Sequence, residues 1–411
     1  MKIDDMELSP MLQKAVKGLG YEEWTLIQEL CIPEIQKGKD VVGQSSTGSG
    51  KTAAFGLPIL EKIRPGFGIQ ALILTPTREL CVQVTEAIKE FARHMDVRIL
   101  SVYGGVGIEP QIQGIPRADI VVGTPGRILD HLQRETINFQ HVKFLVLDEA
   151  DKMLEMGFVE DVDKIISQVP ENRQTLLFSA TISEDIRDLV KKYLKSPIQL
   201  NGETYVDHTL LRQVYFDVKP FEKFSLLVHL LKNHTEGLAM VFCATRREVD
   251  ILARNLKMQS IRAMALHGGL SQNKRTFALD SLRNEKINVL VVTDVAARGL
   301  DIQGISHVYN YDVPKTSKEY IHRIGRTARA GKNGAAVSLL CDRDYDNFNA
   351  VLSNSDLTIT REEMPSFEML RFVREIRERG SRGPMHSYDR SHSFGGRREG
   401  SGRGRSPGRK Y

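Results

Sequence analysis

The sequence predicts two tandem α/β domains on parallel, doubly wound sheets, followed by a disordered basic tail. Three observations carry that reading. First, two stretches of the 411 residues repeat one grammar: a short apolar strand, a polar or glycine-rich turn, then a helical pattern. Strands of this kind alternating with amphipathic helices build parallel sheets covered on both faces. Second, the polar residues that break the apolar pattern fall directly after the strands, where open α/β sheets bind their ligands. Third, charge is segregated. From Arg371 to Tyr411 the net charge is +8 against +5 for the whole chain, leaving −3 for residues 1–370. The basic character belongs to the tail, not to the globular body.

Each element follows in order. In the first half the strands read DVV (40–42), ALIL (71–74), DIVV (119–122), FLVL (144–147) and TLLF (175–178). In the second they read AMVF (239–242), AMAL (263–266), VLVV (289–292), HVYNY (307–311) and AVSLL (336–340). The division is residues 1–203 for the first domain, 204–211 for a polar linker, 212–358 for the second domain and 359–411 for a charged extension and tail. Within the extension, 362–378 reads as a charged segment with helical character. From Gly380 onward Gly, Ser and Arg dominate, a composition that cannot bury a core. No run of about 18 apolar residues is present, which argues against a membrane span. The first ten residues, MKIDDMELSP, lack the apolar core of a secretory signal. Cys31, Cys81, Cys243 and Cys341 lie far apart beside apolar residues and read as buried free thiols in a reducing, cytoplasmic setting.

The turns carry the chemistry. Ser45-Ser46-Thr47-Gly48-Ser49-Gly50-Lys51-Thr52 lies between a strand and a helix. Its glycines let backbone N–H groups curl around phosphate at the positive end of that helix. Lys51 then reaches the β- and γ-phosphates of a nucleotide, and the Thr52 hydroxyl can ligate Mg²⁺. Asp148-Glu149-Ala150-Asp151 ends the strand FLVL. Asp148 can hold Mg²⁺, largely through water, because Mg²⁺ dehydrates reluctantly. Glu149 is placed to orient and polarise the water that attacks the γ-phosphate. An acidic cluster at a helix start is the plainer alternative, but the phosphate loop upstream argues against it.

With these motifs assembled, residues 3–345 resemble the DEAD-box RNA helicases of superfamily 2, motif by motif and in order. The resemblance implies two RecA-like domains, ATP as the nucleotide and RNA as the partner. It implies that Gly20-Tyr21 and Gln28 form an adenine-recognising motif, with Tyr21 stacked on the base and Gln28 pairing with its edge. By the same resemblance Ser46, Thr47, Gly48, Ser49, Gly50, Lys51 and Thr52 hold the phosphates. Asp301 contacts the ribose, Gly299 belongs to the same ATP site, and Arg326 and Arg329 of HRIGRTARAG reach the γ-phosphate across the cleft. A guanidinium from the opposite domain stabilises transition-state charge only on closure, which gives that placement physical sense.

Asp151, with Ser179 and Thr181 of the SAT motif, is implied to couple nucleotide state to domain geometry. RNA is implied to run along Pro76, Thr77, Arg78, Gly105, Thr124, Pro125 and Arg127 of the first domain. The second domain adds Gly268, Gln272, Arg275 and Thr293, with Asp294 beside it. Backbone amides, hydroxyls and a few arginines suit phosphate and 2′-OH contacts that carry little sequence information. Five positions depart from the family pattern: Ile3 for an aromatic, Trp24 for proline, Ser45 for alanine, Gly269 for aspartate and Ala328 for glycine.

The expectation is an RNA-stimulated ATPase that opens short RNA duplexes and remodels RNA–protein complexes locally. A DNA translocase of the same superfamily and an RNA clamp with a vestigial ATPase are the competing readings. The DEAD tetrad counts against the first, and intact Lys51, Asp148, Glu149, Arg326 and Arg329 count against the second.

Overall fold

The computed structural model describes residues 1–45, 48–202, 211–233, 235–297, 300, 302, 304–328, 333–354 and 357–374. The central part of the expected linker, the tail beyond Arg374, and Ser46, Thr47, Gly299, Asp301 and Arg329 of the expected site lie outside them.

Seven strands build the first sheet: β1 (Val41–Gln44), β2 (Ala71–Leu74), β3 (Ile99–Val102), β4 (Ile120–Gly123), β5 (Phe144–Leu147), β6 (Gln174–Ser179) and β7 (Ile198–Asn201). Seven more build the second: β8 (Leu211–Asp217), β9 (Leu238–Phe242), β10 (Ala263–Leu266), β11 (Val289–Val292), β12 (Ile305–Asn310), β13 (Gly334–Leu340) and β14 (Thr360–Arg361). The spatial orders are β3-β4-β2-β5-β6-β1-β7 and β10-β11-β9-β12-β13-β8-β14. Renumbered from one, the second order is identical to the first. All strand pairs in both sheets are parallel. The two halves are one architecture written twice.

Why these residues form such sheets follows from their alternation. Val41, Ile73, Ile120, Val122, Phe144, Val146, Leu176 and Phe178 enter one core cluster. Their neighbours Val42, Leu72, Leu74, Val121, Leu145, Leu147 and Leu177 enter another. Successive side chains point to opposite faces of a strand, so both faces are apolar and helices must cover both. The second sheet repeats this, with Ala239, Val241, Val289 and Val291 on one face and Met240, Phe242, Leu290 and Val292 on the other.

Four strands have no counterpart in the sequence reading. β3 and β7 are only partly buried, β14 has two exposed residues, and β8 alternates Arg212 and Gln213 with apolar positions. Leu211, assigned to the linker from sequence, already opens β8. The charged segment from Glu362 is not helical over its described part. Glu362 N–H donates to the Tyr215 carbonyl (2.9 Å), Leu370 N–H to Ser225 Oγ (2.9 Å) and Val373 N–H to Asn255 Oδ1 (2.9 Å). Phe367, Leu370 and Phe372 pack on the core formed by the helix Lys223–Asn233 and the helix Arg246–Met258. An extended strap whose apolar side chains find a groove gains more from packing than a short helix would from its own hydrogen bonds.

Candidate nucleotide and nucleic-acid sites

The phosphate loop joins β1 to the helix Lys51–Lys62. Gly50 holds φ +92° and is the N-cap of that helix, a conformation that only glycine adopts at little cost. A Cβ there would also lie 2.3 Å from Gln28 Nε2. The loop is gripped from below. Gln28 Nε2 donates to the Gly50 carbonyl (3.1 Å) and Thr25 Oγ1 to the Ser49 carbonyl (2.8 Å), while Gln28 Oε1 accepts from Thr25 N–H (2.9 Å). Gln28 is fully buried, and both ends of its amide are engaged with protein. Each of these bonds uses one of the two hydrogen-bonding sites that each end of a side-chain amide offers. Tyr21 stays half-buried, 6.2 Å from both Trp24 and Phe91 ring centres. Ile3 and Trp24 are both buried in the first core. Ser45 is buried and its Oγ lies 2.7 Å from Ser49 Oγ, tying the two ends of the loop. Lys51 is buried, with Nζ donating to the Ser45 carbonyl (3.1 Å).

The acidic tetrad faces this loop. Asp148 and Glu149 are each 2% exposed. Burial pushes the Asp148 carboxyl up to about 6, against the pull of Lys51. Asp148 Oδ1 is buried without a hydrogen-bond partner. Burial also acts to raise Glu149, but Lys152 and Lys51 outweigh it and hold that carboxyl near 2. Glu149 adopts φ +53°, a left-handed turn that lets β5 pass into the helix Ala150–Glu155 within two residues. Such a conformation costs a non-glycine residue about 1 kcal/mol and persists where the surroundings hold it. Asp151 Oδ2 accepts from Ala180 N–H (3.2 Å), Thr181 N–H (3.1 Å) and Thr181 Oγ1 (3.2 Å), and Asp151 N–H donates to Ser179 Oγ (3.3 Å). The tetrad and the SAT segment are thus one hydrogen-bonded unit.

Arg326, from the second domain, is buried, with Nη1 donating to the Leu300 carbonyl (2.6 Å). Its positive charge acts to lower the pKa of both Glu149 and Lys152. Arg323, one helical turn earlier, was not singled out from sequence. It is 3% exposed, pairs through Nε and Nη2 with the two carboxylate oxygens of Asp294 (2.6 and 2.7 Å) and lies 5.0 Å from the Phe242 ring centre. It locks the ends of β9, β11 and the helix Ser317–Ile324 together.

A cavity of about 450 Å³ runs between the domains, lined by Pro76, Thr77, Arg78, Thr124, Arg127, Gly268 and Arg275 among others. Thr77 caps the helix Arg78–Phe91, and Arg78 lies so close over Gly105 that a Cβ there would sit 1.9 Å from its Nη1. Arg127 donates to Gln111 Oε1 (3.2 Å) and the Val106 carbonyl (3.1 Å), and Pro125 opens its helix. Thr293 follows β11 and is buried. Gln272 and Arg275 turn toward the first domain. Gln272 Nε2 donates to Glu79 Oε1 (3.2 Å), and Arg275 Nη2 lies 2.8 Å from Glu79 Oε2. Lys318 pairs with Glu155 across the same divide at 2.5 Å. Glu79, Glu155 and Lys318 were missed from sequence, because nothing in their spacing links them; Lys152 was missed although it stands three residues after Glu149, a helical ion-pair spacing.

Matched strand orders in tandem, with the motif-bearing strand ends meeting in one cleft, are the architecture of the two-domain helicases. Residues 25–189 match the DEAD/DEAH box helicase family and residues 222–331 the helicase conserved C-terminal domain. The ATP-dependent RNA helicase CshA of Listeria monocytogenes is 48% identical over 347 residues, which span 84% of this chain and 66% of that protein. The DEAD-box ATP-dependent RNA helicase CshA of Bacillus cereus is 43% identical over 367 residues, 89% of this chain and 70% of the relative. Among solved structures, S. cerevisiae Dbp5 bound to RNA and ADP BeF3 superposes with a TM-score of 0.78 at 32% identity, covering 88% of this chain and 95% of that one. Mss116p bound to ssRNA and AMP-PNP gives 0.79 at 27%, covering 89% and 80%. The chain belongs to the DEAD-box ATP-dependent RNA helicase family. No helix among the described residues is long and apolar enough to cross a membrane.

Proposed function

We propose that this chain hydrolyses ATP in response to RNA and uses the cycle to open short RNA duplexes and RNA–protein complexes locally. One observation carries the reading: strand-end residues of both domains line one cavity and are tied across it, Gln272 and Arg275 to Glu79 and Lys318 to Glu155. Lys51 binds the β- and γ-phosphates, Glu149 orients the attacking water, and Arg326 and Arg329 stabilise charge on the transferring phosphoryl group. Asp148, with an unpartnered buried carboxylate oxygen, and Thr52, with its hydroxyl, form an oxygen-donor set that fits Mg²⁺. Those two residues would hold Mg²⁺, which would supply neutralisation of phosphate charge. Asp151 transmits the state of the tetrad to the SAT segment through the bonds described above. The strand-end residues lining the interdomain cavity hold one RNA strand by its backbone, independent of base sequence, and closure bends that strand out of duplex geometry. Cytoplasmic residence is supported by the four free, buried thiols.

The test is ATPase rate without nucleic acid, with single-stranded RNA, and with single- and double-stranded DNA. Stimulation by RNA alone is expected. Equal stimulation by DNA favours a DNA translocase, and RNA binding without turnover favours a clamp. Glu149→Gln should bind ATP and RNA yet turn over at background rate, since the amide cannot polarise water comparably. Lys51→Ala should instead lose nucleotide affinity.

A further inference from the structure

Lys152 has no part in the function proposed above. It follows the tetrad in the helix Ala150–Glu155 and is 2% exposed. Its Nζ lies 2.7 Å from Glu149 Oε1, one helical turn away. A lysine ammonium is strongly hydrated, and burying one is costly unless an opposite charge holds it. The partner is the carboxylate to which water activation was assigned. The other charges that act on this pair come from every side of the cleft: Lys51 on the phosphate-loop helix, Asp148 at the end of β5, Asp151 on the same helix, and Arg326 from the second domain. The same short helix also carries Asp151, bonded to the SAT segment, and Glu155, paired with Lys318.

Two roles fit such a pair. A structural ion pair would stabilise the helix and leave the chemistry alone. A positioning pair would fix the direction of one carboxylate oxygen, and so set where water sits against the γ-phosphate. The geometry favours the second. Glu149 and Lys152 are both buried, so the Lys152 ammonium meets the carboxylate without competing water and anchors its Oε1 from the following turn. We infer that Lys152 is a positioning residue that holds the water-orienting carboxylate of Glu149 in its productive direction. The inference rests on the role proposed for Glu149.

Three variants test it: Lys152→Met, Lys152→Gln and Lys152→Arg, measured for ATPase at saturating RNA and for RNA affinity with a non-hydrolysable ATP analogue. Misplacing a reacting group by about 1 Å costs up to about a hundredfold. The neutral variants should therefore lose about ten- to a hundredfold in kcat, with KM for ATP and RNA affinity within about threefold of the parent. Arginine, which restores the charge, should return most of kcat. Lys152→Gln stands in if the Met variant fails to fold. A kcat that is unchanged or higher in either folded neutral variant overturns the inference. So does a loss shared equally by kcat and nucleotide affinity, or an arginine variant as slow as the neutral ones. Glu149→Gln assayed beside them separates the two readings: if that variant hydrolyses ATP normally, it is the role of Glu149 that fails.

Discussion

Ala328 holds φ +52° at a position where the family pattern carries glycine. The left-handed region brings Cβ against the backbone at a cost of roughly 1–2 kcal/mol, partly offset by the freedom that glycine would lose on folding. Ala328→Gly should therefore stabilise the protein by about 0.5–1 kcal/mol, read as a shift in the urea midpoint at constant slope. Ser45, by contrast, uses its departure, since its hydroxyl bonds to Ser49 within the loop. Gly269 avoids crowding, because a Cβ there would meet His267 Nδ1 at 3.1 Å. What was legible at this scale was where local motifs put their polar residues: Lys51 and Asp148, read from separate motifs, are both buried and act on one another. What was not legible was the partner that folding assigns to a charge. Glu79 sits beside Arg78 in a motif read for RNA, yet its carboxylate is taken by two residues nearly two hundred positions on.

At the scale of elements, buried central strands could be read because both faces are apolar and the run is continuous. Edge strands β3 and β7 could not: Gln199 and Asn201 of β7 are exposed, and in β3 Ser101 breaks a short, partly buried apolar run. The strap from Glu362 to Val373 shows the same limit: its charged residues point away, and only Phe367, Leu370 and Phe372 meet the core. Phe372 lies 5.0 Å from the Phe224 ring centre. A chain ending at residue 361 should lose stability in its second domain, whereas one ending at residue 374 should not. Phe372→Ala alone should cost about 1–2 kcal/mol, less than a fully buried phenylalanine. Thermal unfolding of the three proteins checks this, and equal midpoints would show that the strap contributes nothing.

Among the described residues, two ion pairs join the domains, and their surroundings rank them. Lys318 and Glu155 are 47% and 22% exposed, so water and salt screen that pair to about 1 kcal/mol or less. Arg275 and Glu79 are 13% and 4% exposed, so losing one leaves the other buried and unpaired. Glu79→Ala should therefore impair RNA- and ATP-dependent closure far more than Glu155→Ala, measured as energy transfer between labels on the two domains. Equal effects would mean that burial does not set the strength of this contact. The tail is a separate matter, read from its sequence alone. Its arginines, interleaved with Gly and Ser, suit phosphate neutralisation without sequence preference. Each phosphate neutralised on a single strand adds about −0.7 to the slope of log affinity against log salt. Removing residues 380–411 should flatten that slope and weaken RNA binding at low salt.

The chain contains a single tryptophan, and it is Trp24, buried and packed 6.2 Å from Tyr21. All indole emission of this 411-residue protein therefore originates beside the residue assigned to the adenine base. Neither the second domain nor the tail contributes background when excitation is confined to the red edge of the indole band. The molecule is its own optical probe: nucleotide entry at Tyr21 would register as a change in intensity or colour from that one ring, without a label.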